Sequence, residues 1–156
     1  MNLYYFDSSA LVKQYVYETG SLWVQAVTAS NLVFVSRITR VEVLSALSRL
    51  KREGKIDSPK LSATMQLFDY DWIYRYHIVE LDHQITEHAG QLVQQYPLRA
   101  YDSVQLATAL KLHSFYSVRD LFVLIFVSAD DRLLNAAQSE KMFGENPNIY
   151  PNMSSI

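Results

Sequence analysis

The chain contains no cysteine. That excludes disulfides, thiolate metal sites and cysteine nucleophiles, and it fits a reducing, cytoplasmic setting. Glycine and proline are scarce, four of each in 156 residues, and no Gly-rich phosphate-cradling loop or Gly/Pro-rich linker is present. The longest apolar run, residues 121–127, falls far short of the roughly 20 residues that cross a bilayer. No charged segment precedes an apolar run at the start, so neither a signal peptide nor a membrane anchor is expected. An excess of one charge is also missing: 14 Lys and Arg face 16 Asp and Glu, for a formal net charge of −2. A protein that coats nucleic acid through a global basic field is thereby disfavoured, but not an enzyme that grips a polyanion locally. The histidines, His77, His83, His88 and His113, include no pair spaced for one helix face, and none lies near Ser8 or Ser9 in sequence. A histidine metal site and a serine–histidine hydrolase therefore have no support.

What is present reads as one globular domain spanning 1–156, with 49% hydrophobic and 19% charged residues. Short apolar runs of strand type occupy 2–6, 32–35, 76–81 and 121–127, and helical spacing covers 9–18, 21–29, 38–52, 58–74, 82–96, 99–116 and 132–139. The tail, 146–156, is expected to add a short last strand. Strands and helices alternate, which implies an α/β fold whose mostly parallel sheet is covered by helices on both faces. Helices 38–52 and 58–74 form an αα-hairpin with more aromatic residues than one buried face needs, so part of it is expected to meet a partner.

Four acids carry the chemistry. Asp7 ends the first strand run, and Asp130 follows Ser128-Ala129 at the end of the run closing at Val127. Parallel neighbouring strands would put both at one sheet edge, where ligand sites of open α/β sheets collect. Glu42 stands between Val41 and Val43, and Asp102 shares a helical stripe with Leu106, Ala109 and Leu110. Two unit charges 4 Å apart repel by roughly 4 kcal/mol at an effective dielectric near 20, so four gathered carboxylates need a cation. An all-oxygen set selects a hard ion, Mg²⁺ or Mn²⁺, whose natural partner is phosphate and whose natural chemistry is phosphodiester hydrolysis. The competing reading is plain: Asp7, Asp82 and Asp130 are helix N-caps, worth about 1 kcal/mol each, and the acids never meet. The residue types alone leave that choice open. Lys13, Arg37, Arg40, Arg99 and Arg132 flank the acids and are candidates for phosphate contact.

At these residues the sequence resembles the PIN domain, and within it the VapC-type toxins of bacterial toxin–antitoxin pairs. Tyr5-Phe6-Asp7-Ser8-Ser9-Ala10-Leu11-Val12-Lys13 resembles the first motif of that family, and Thr39-Arg40-Val41-Glu42-Val43-Leu44-Ser45-Ala46-Leu47 the second. Arg99-Ala100-Tyr101-Asp102-Ser103-Val104-Gln105-Leu106-Ala107-Thr108-Ala109 resembles the third, and Val127-Ser128-Ala129-Asp130-Asp131-Arg132-Leu133 the fourth. The resemblance implies a three-layer α/β/α fold and a Mg²⁺- or Mn²⁺-dependent ribonuclease in which Asp7, Glu42, Asp102 and Asp130 bind the metal. Asp7 and Asp102 are then the direct ligands, Glu42 positions or activates water, Asp130 rather than Asp131 faces the ion, and Ser128 orients an acid. Of the flanking cations, Lys13, Arg40 and Arg99 are the expected RNA contacts; the resemblance further implies a homodimer and a small antitoxin, for which the 38–74 hairpin is the expected seat. The alternative, of a different class, is a catalytically silent PIN-like module that binds RNA or protein.

Overall fold

Alternation along the first strand decides the layering. In β1 (Leu3–Phe6), Leu3 and Tyr5 belong to one buried cluster, while Phe6 belongs to a second, against which Tyr4 packs. Successive strand side chains point to opposite faces, so this one strand feeds two cores. The same split recurs in β2 (Leu32–Ser36), with Phe34 on one side and Val33 and Val35 on the other, and in β4 (Leu124–Val127), with Leu124 and Phe126 opposed to Ile125 and Val127. The structure is a computed structural model that describes residues 2–117 and 122–152. Leu121, the expected start of the fourth strand, lies outside the described residues.

Five strands, completed by β3 (Tyr76–Val79) and β5 (Phe143–Glu145), form one sheet in the order β3-β2-β1-β4-β5, every pair parallel. One face carries α5 (His83–Gln95), α6 (Ala100–Ser117) and α7 (Asp131–Ser139), which supply Ile85, Leu92, Leu106, Leu110 and Leu133 to its core. The other carries α1 (Ser8–Leu11), α2 (Ser21–Ser30), α3 (Thr39–Arg52) and α4 (Ser58–Tyr74), which supply Leu11, Val24, Leu47 and Phe68. This is the expected three-layer α/β/α arrangement. Helix ends follow local rules: Asp57 caps α4 through Lys60 N and Asp82 caps α5 through Ile85 N. Among the described residues no helix is long and apolar enough to cross a membrane.

Four elements differ from expectation; the fourth strand begins at Leu124, leaving Phe122 and Val123 outside it. The helix expected over 9–18 stops at Leu11 and continues only as a 3-10 turn, Val12–Gln14. Side-chain bonds redirect the chain there: the buried Lys13 ammonium donates to Glu18 Oε1 and Thr19 O, and the Tyr15 hydroxyl donates to Asp71 Oδ2. The third strand ends at Val79 rather than at 81. The last strand is Phe143–Glu145, ahead of the expected tail segment, in which Pro147–Ile149 is a 3-10 turn and 153–156 lie outside the described residues.

Gly20 anchors the C-terminal segment. Its φ of +86° belongs to the left-handed region, and a Cβ there would lie 2.3 Å from the Pro147 carbonyl oxygen. The contact seats Tyr150 on Trp23, with parallel rings 4.8 Å apart, and lets Asn152 Oδ1 accept from Leu22 N at 3.0 Å. Gly20→Ala should therefore cost both backbone strain and overpacking, at least about 1–3 kcal/mol in urea unfolding. Gly54 has φ +72° but nothing within 4 Å of its Cβ position, so Gly54→Ala should cost clearly less. Equal losses would show that the Pro147 contact is not the constraint.

Candidate active site

Strand order makes the site. The chain runs from β1 to β2 to β3 in one direction across the sheet, then returns to place β4 on the other side of β1. The crevice at such a switch point, beyond the carboxyl ends of the strands, is where open α/β sheets hold ligands. Register pairs Phe6 with Val127, and Asp7 N donates to Val127 O at 3.1 Å. Asp7 therefore leaves β1 beside Ser128, and Asp130 follows two residues on. Glu42 and Asp102 arrive on the first turns of α3 and α6. All four acids line one cleft of about 470 Å³.

Neutral donors hold the acids. Ser9 Oγ reaches both carboxylate oxygens of Asp7, at 2.8 and 2.9 Å. Asp7 Oδ1 also accepts from Ala10 N, capping α1, and Oδ2 accepts from Ser128 Oγ at 2.9 Å. Glu42 accepts from Ser8 Oγ through Oε2 (2.7 Å) and from Gln105 Nε2 through Oε1 (2.8 Å). Asp130 caps α7, accepting from Arg132 N and Leu133 N through Oδ1 alone. Asp131 turns the other way and accepts from Asn146 Nδ2 at 2.7 Å. Asp7 and Asp130 are thus helix caps and also line the cleft.

Burial pushes the Asp7 carboxyl up from 3.8 to about 7, against the lowering effect of its Ala10, Ser9 and Ser128 hydrogen bonds and with a further push from Glu42. Burial also raises Asp102, aided by Asp130 and opposed by Arg99. Among the described residues, Asp7, Glu42 and Asp130 have no ion-pair partner, and Asp102 has only Arg99 at 3.9 Å. Negative charge thus outweighs its local compensation, and the donor set is all oxygen, which fits a hard divalent cation. Among the described residues no three His, Asp or Glu side chains stand ready-grouped to hold a metal. The Asp7 and Glu42 oxygens are engaged by hydroxyl and amide donors, so the fit lies in the chemistry and shared cleft of these side chains rather than in a finished cage.

Of the expected RNA contacts, Arg99 lines the cleft and is exposed. Lys13 and Arg40 do not line it. Lys13 is 5% exposed and paired with Glu18. Arg40 pairs with Asp69 at 2.8 Å and lies over the Phe68 and Trp72 rings on the far side of α3. Arg37 pairs with Glu80. Three cleft-associated residues escaped sequence reasoning: Arg49 and Tyr101 on its walls, and Gln105 behind Glu42. Arg49 lies seven residues after Glu42, two helical turns on the same face, and that spacing was the available signal.

Comparison with known proteins bears on the family and the fold. The sequence model of the PIN domain matches residues 4–138. Ribonuclease VapC45 and Ribonuclease VapC49, from two strains of Mycobacterium tuberculosis, are each 34% identical over 111 residues, covering 70% of this chain and 76% of theirs. FitAcB from Neisseria gonorrhoeae shares the fold with a TM-score of 0.64 at 17% identity, covering 92% of this chain and 97% of that one. DNA-bound VapBC from Salmonella typhimurium does so with a TM-score of 0.62 at 16% identity, covering 94% and 99%.

The Asp7 environment predicts a pH signature. In the unfolded chain its carboxyl loses a proton near 3.8, in the folded protein only near 7. The folded state binds more protons between those values, so the stability contribution is full below 3.8 and is lost as pH rises through 7. At about 1.4 kcal/mol per pH unit the loss is on the order of 4 kcal/mol. In chelator-treated protein, Asp7→Asn should therefore raise the melting temperature well above pH 7, with the advantage shrinking toward pH 3.8. An advantage independent of pH would refute a buried, uncompensated Asp7.

Proposed function

Since the chain belongs to the PIN-domain family, we propose that it is a ribonuclease that hydrolyses RNA phosphodiester bonds with a divalent cation, Mg²⁺ or Mn²⁺. One observation carries the reading: four carboxylates from four separate elements line a single cleft at the sheet's switch point, three of them without a cationic partner among the described residues. Asp7, Asp102, Glu42 and Asp130 would hold the ion. When bound, it supplies Lewis acidity toward the scissile phosphate and acidifies water.

The chain's own residues do the rest. Ser9 and Ser128 fix the plane of the Asp7 carboxylate, and the α7 amides fix Asp130 through one oxygen, leaving Oδ2 free of capping bonds. Glu42 orients the attacking water and accepts its proton. Arg49 and Arg99, on the cleft wall, take flanking phosphates of a single RNA strand, and exposed Tyr101 offers a face for a base. In the same reading the protein is the toxin of a toxin–antitoxin pair, a role in keeping with its VapC relatives. Exposed Leu67, Tyr70, Ile73 and Tyr74 on α4 support assigning the hairpin to the antitoxin, with a homodimer as the assembled state.

Purified protein freed of any partner should cleave RNA with Mg²⁺ or Mn²⁺ and stop on chelation. Asp7→Asn and Asp102→Asn should each lower the rate at least about 100-fold. Arg49→Ala and Arg99→Ala should weaken RNA binding about uniformly across sequences and flatten its salt dependence, whereas Arg40→Ala should do neither. Expression alone should arrest growth. Folded protein that cuts no RNA with either ion would leave the silent binding module as the correct reading.

A further inference from the structure

We propose that Gln105 is a positioning residue for Glu42: a neutral amide strut that ties the Glu42 carboxylate to the central strand and leaves its charge for the cation. The inference rests on the reading above that the cleft holds a divalent ion.

Gln105 sits on the apolar stripe of α6 beside Leu106 and Ala109 and is 1% exposed. An amide buried there costs free energy unless its polar atoms are paired, and each of them is. Oε1 accepts from the Tyr5 hydroxyl at 2.7 Å, and Nε2 donates to Thr39 Oγ1 at 2.9 Å and to Glu42 Oε1 at 2.8 Å. The direction of these bonds follows from chemistry. An ionised carboxylate only accepts, so the amide nitrogen must face Glu42. The amide oxygen then faces Tyr5, whose hydroxyl must donate.

The far end of the strut is rigid. Tyr5 lies in β1, is fully buried, and stacks on Phe126 of the neighbouring strand with centroids 5.7 Å apart and planes 9° apart. Its register to Asp7 is set by the strand itself, two residues on. Glu42 is thereby referenced to the same strand that delivers Asp7, although the two acids arrive on different elements. Ser8 Oγ holds the other Glu42 oxygen at 2.7 Å. Each oxygen has one neutral donor and keeps lone-pair capacity toward the cleft. A lysine or arginine in place of Gln105 would also pair with Glu42, but it would neutralise the charge that a cation needs.

The test is calorimetric titration of the full chain with Mn²⁺, after chelator treatment, with folding checked by circular dichroism. Gln105→Met keeps the side-chain volume and removes both ends of the strut; its Mn²⁺ affinity should fall about 10-fold. In a Glu42→Ala background the same change should leave Mn²⁺ affinity unaltered, because Gln105 acts only through Glu42. On RNA, Gln105→Met should lower kcat and leave KM unchanged. Tyr5→Phe, which keeps the ring stack and removes one donor, should weaken Mn²⁺ in the same direction but less. Folded Gln105→Met with parental Mn²⁺ affinity overturns the proposal, as does an equal loss with and without Glu42, which marks a merely structural role. Should Gln105→Met not fold, parental affinity in Tyr5→Phe overturns it. Mn²⁺ binding that depends on Gln105 in a protein that cuts no RNA would sustain this inference while sinking the ribonuclease reading.

Discussion

Like charges gathered where a sheet ends are the constraint to which the rest of this structure answers. Each carboxylate loses hydration on entering the cleft and raises the energy of its neighbours. Asp7 bears most of that cost, because burial and Glu42 both push its proton affinity up. Arg99 beside Asp102 is the one cation ion-paired with these acids among the described residues, and neutral donors offset the rest. Hydroxyls of Ser8, Ser9 and Ser128, the Gln105 amide and the backbone N–H groups of Ala10, Arg132 and Leu133 all donate to the acids. Helix N-termini add positive dipole ends beneath Glu42 and Asp102. Charge is tolerated but not neutralised, which is the condition a metal site must meet.

Topology brings the acids together from positions far apart in sequence. The β1–β4 pairing joins Asp7 and Asp130 across more than a hundred residues of chain, and one hydrogen bond, Asp7 N to Val127 O, sets their relative height. The two layers then contribute one acid each: α3 from the face that buries Leu47, α6 from the face that buries Leu106. Gln105 bridges those layers past the end of β1, bonding to Tyr5, Thr39 and Glu42 at once. A one-residue slip of β1 against β4 would turn Asp7 to the opposite face and break the cluster without altering composition or helix content.

The long helices were legible because periodicity accumulates over several turns: α3, α4, α5 and α6 fall within a residue or two of where apolar spacing and caps put them. Some short elements were legible as well: β1, β2, α2 and α7 lie within a residue of expectation, whereas α1 and β5 do not. α1 gives way after four residues because Lys13 and Tyr15 find partners in Glu18 and Asp71, contacts that no local pattern encodes. β5 is three residues long with Gly144 at its centre, too short to alternate, and it exists because β4 offers an open edge. For the site, the acids and Arg99 were readable from their motifs, and Arg49 was not. Arg40 lies two residues from Glu42 on α3, but residues two apart on a helix point in different directions. Arg49, two turns from Glu42, sits with Lys51 and Arg52 in the last turn of α3, where the helix dipole favours cations whatever their further role. Gln105 is a polar residue within an apolar stripe, and its meaning appears only when Thr39, Glu42 and Tyr5 are seen around it.

Capping and metal binding are not rival explanations for these aspartates, and Asp82 shows why. Asp82 follows β3 in the same manner that Asp7 follows β1: a strand ends, an aspartate accepts from an amide three residues on, and a helix begins. Local sequence cannot separate the two. What separates them is rank in the sheet. β3 is an outer strand, so Asp82 opens to solvent, pairs with Lys111 and has its carboxyl held below the usual range mainly by that hydrogen bond. β1 is the central strand, so Asp7 is walled in by β4 and α3 and is pushed the other way. The same side chain in the same local conformation is thus a solvated cap at the edge and an under-compensated charge at the centre. The order of the strands places one ordinary cap where its charge has no ion-pair partner among the described residues.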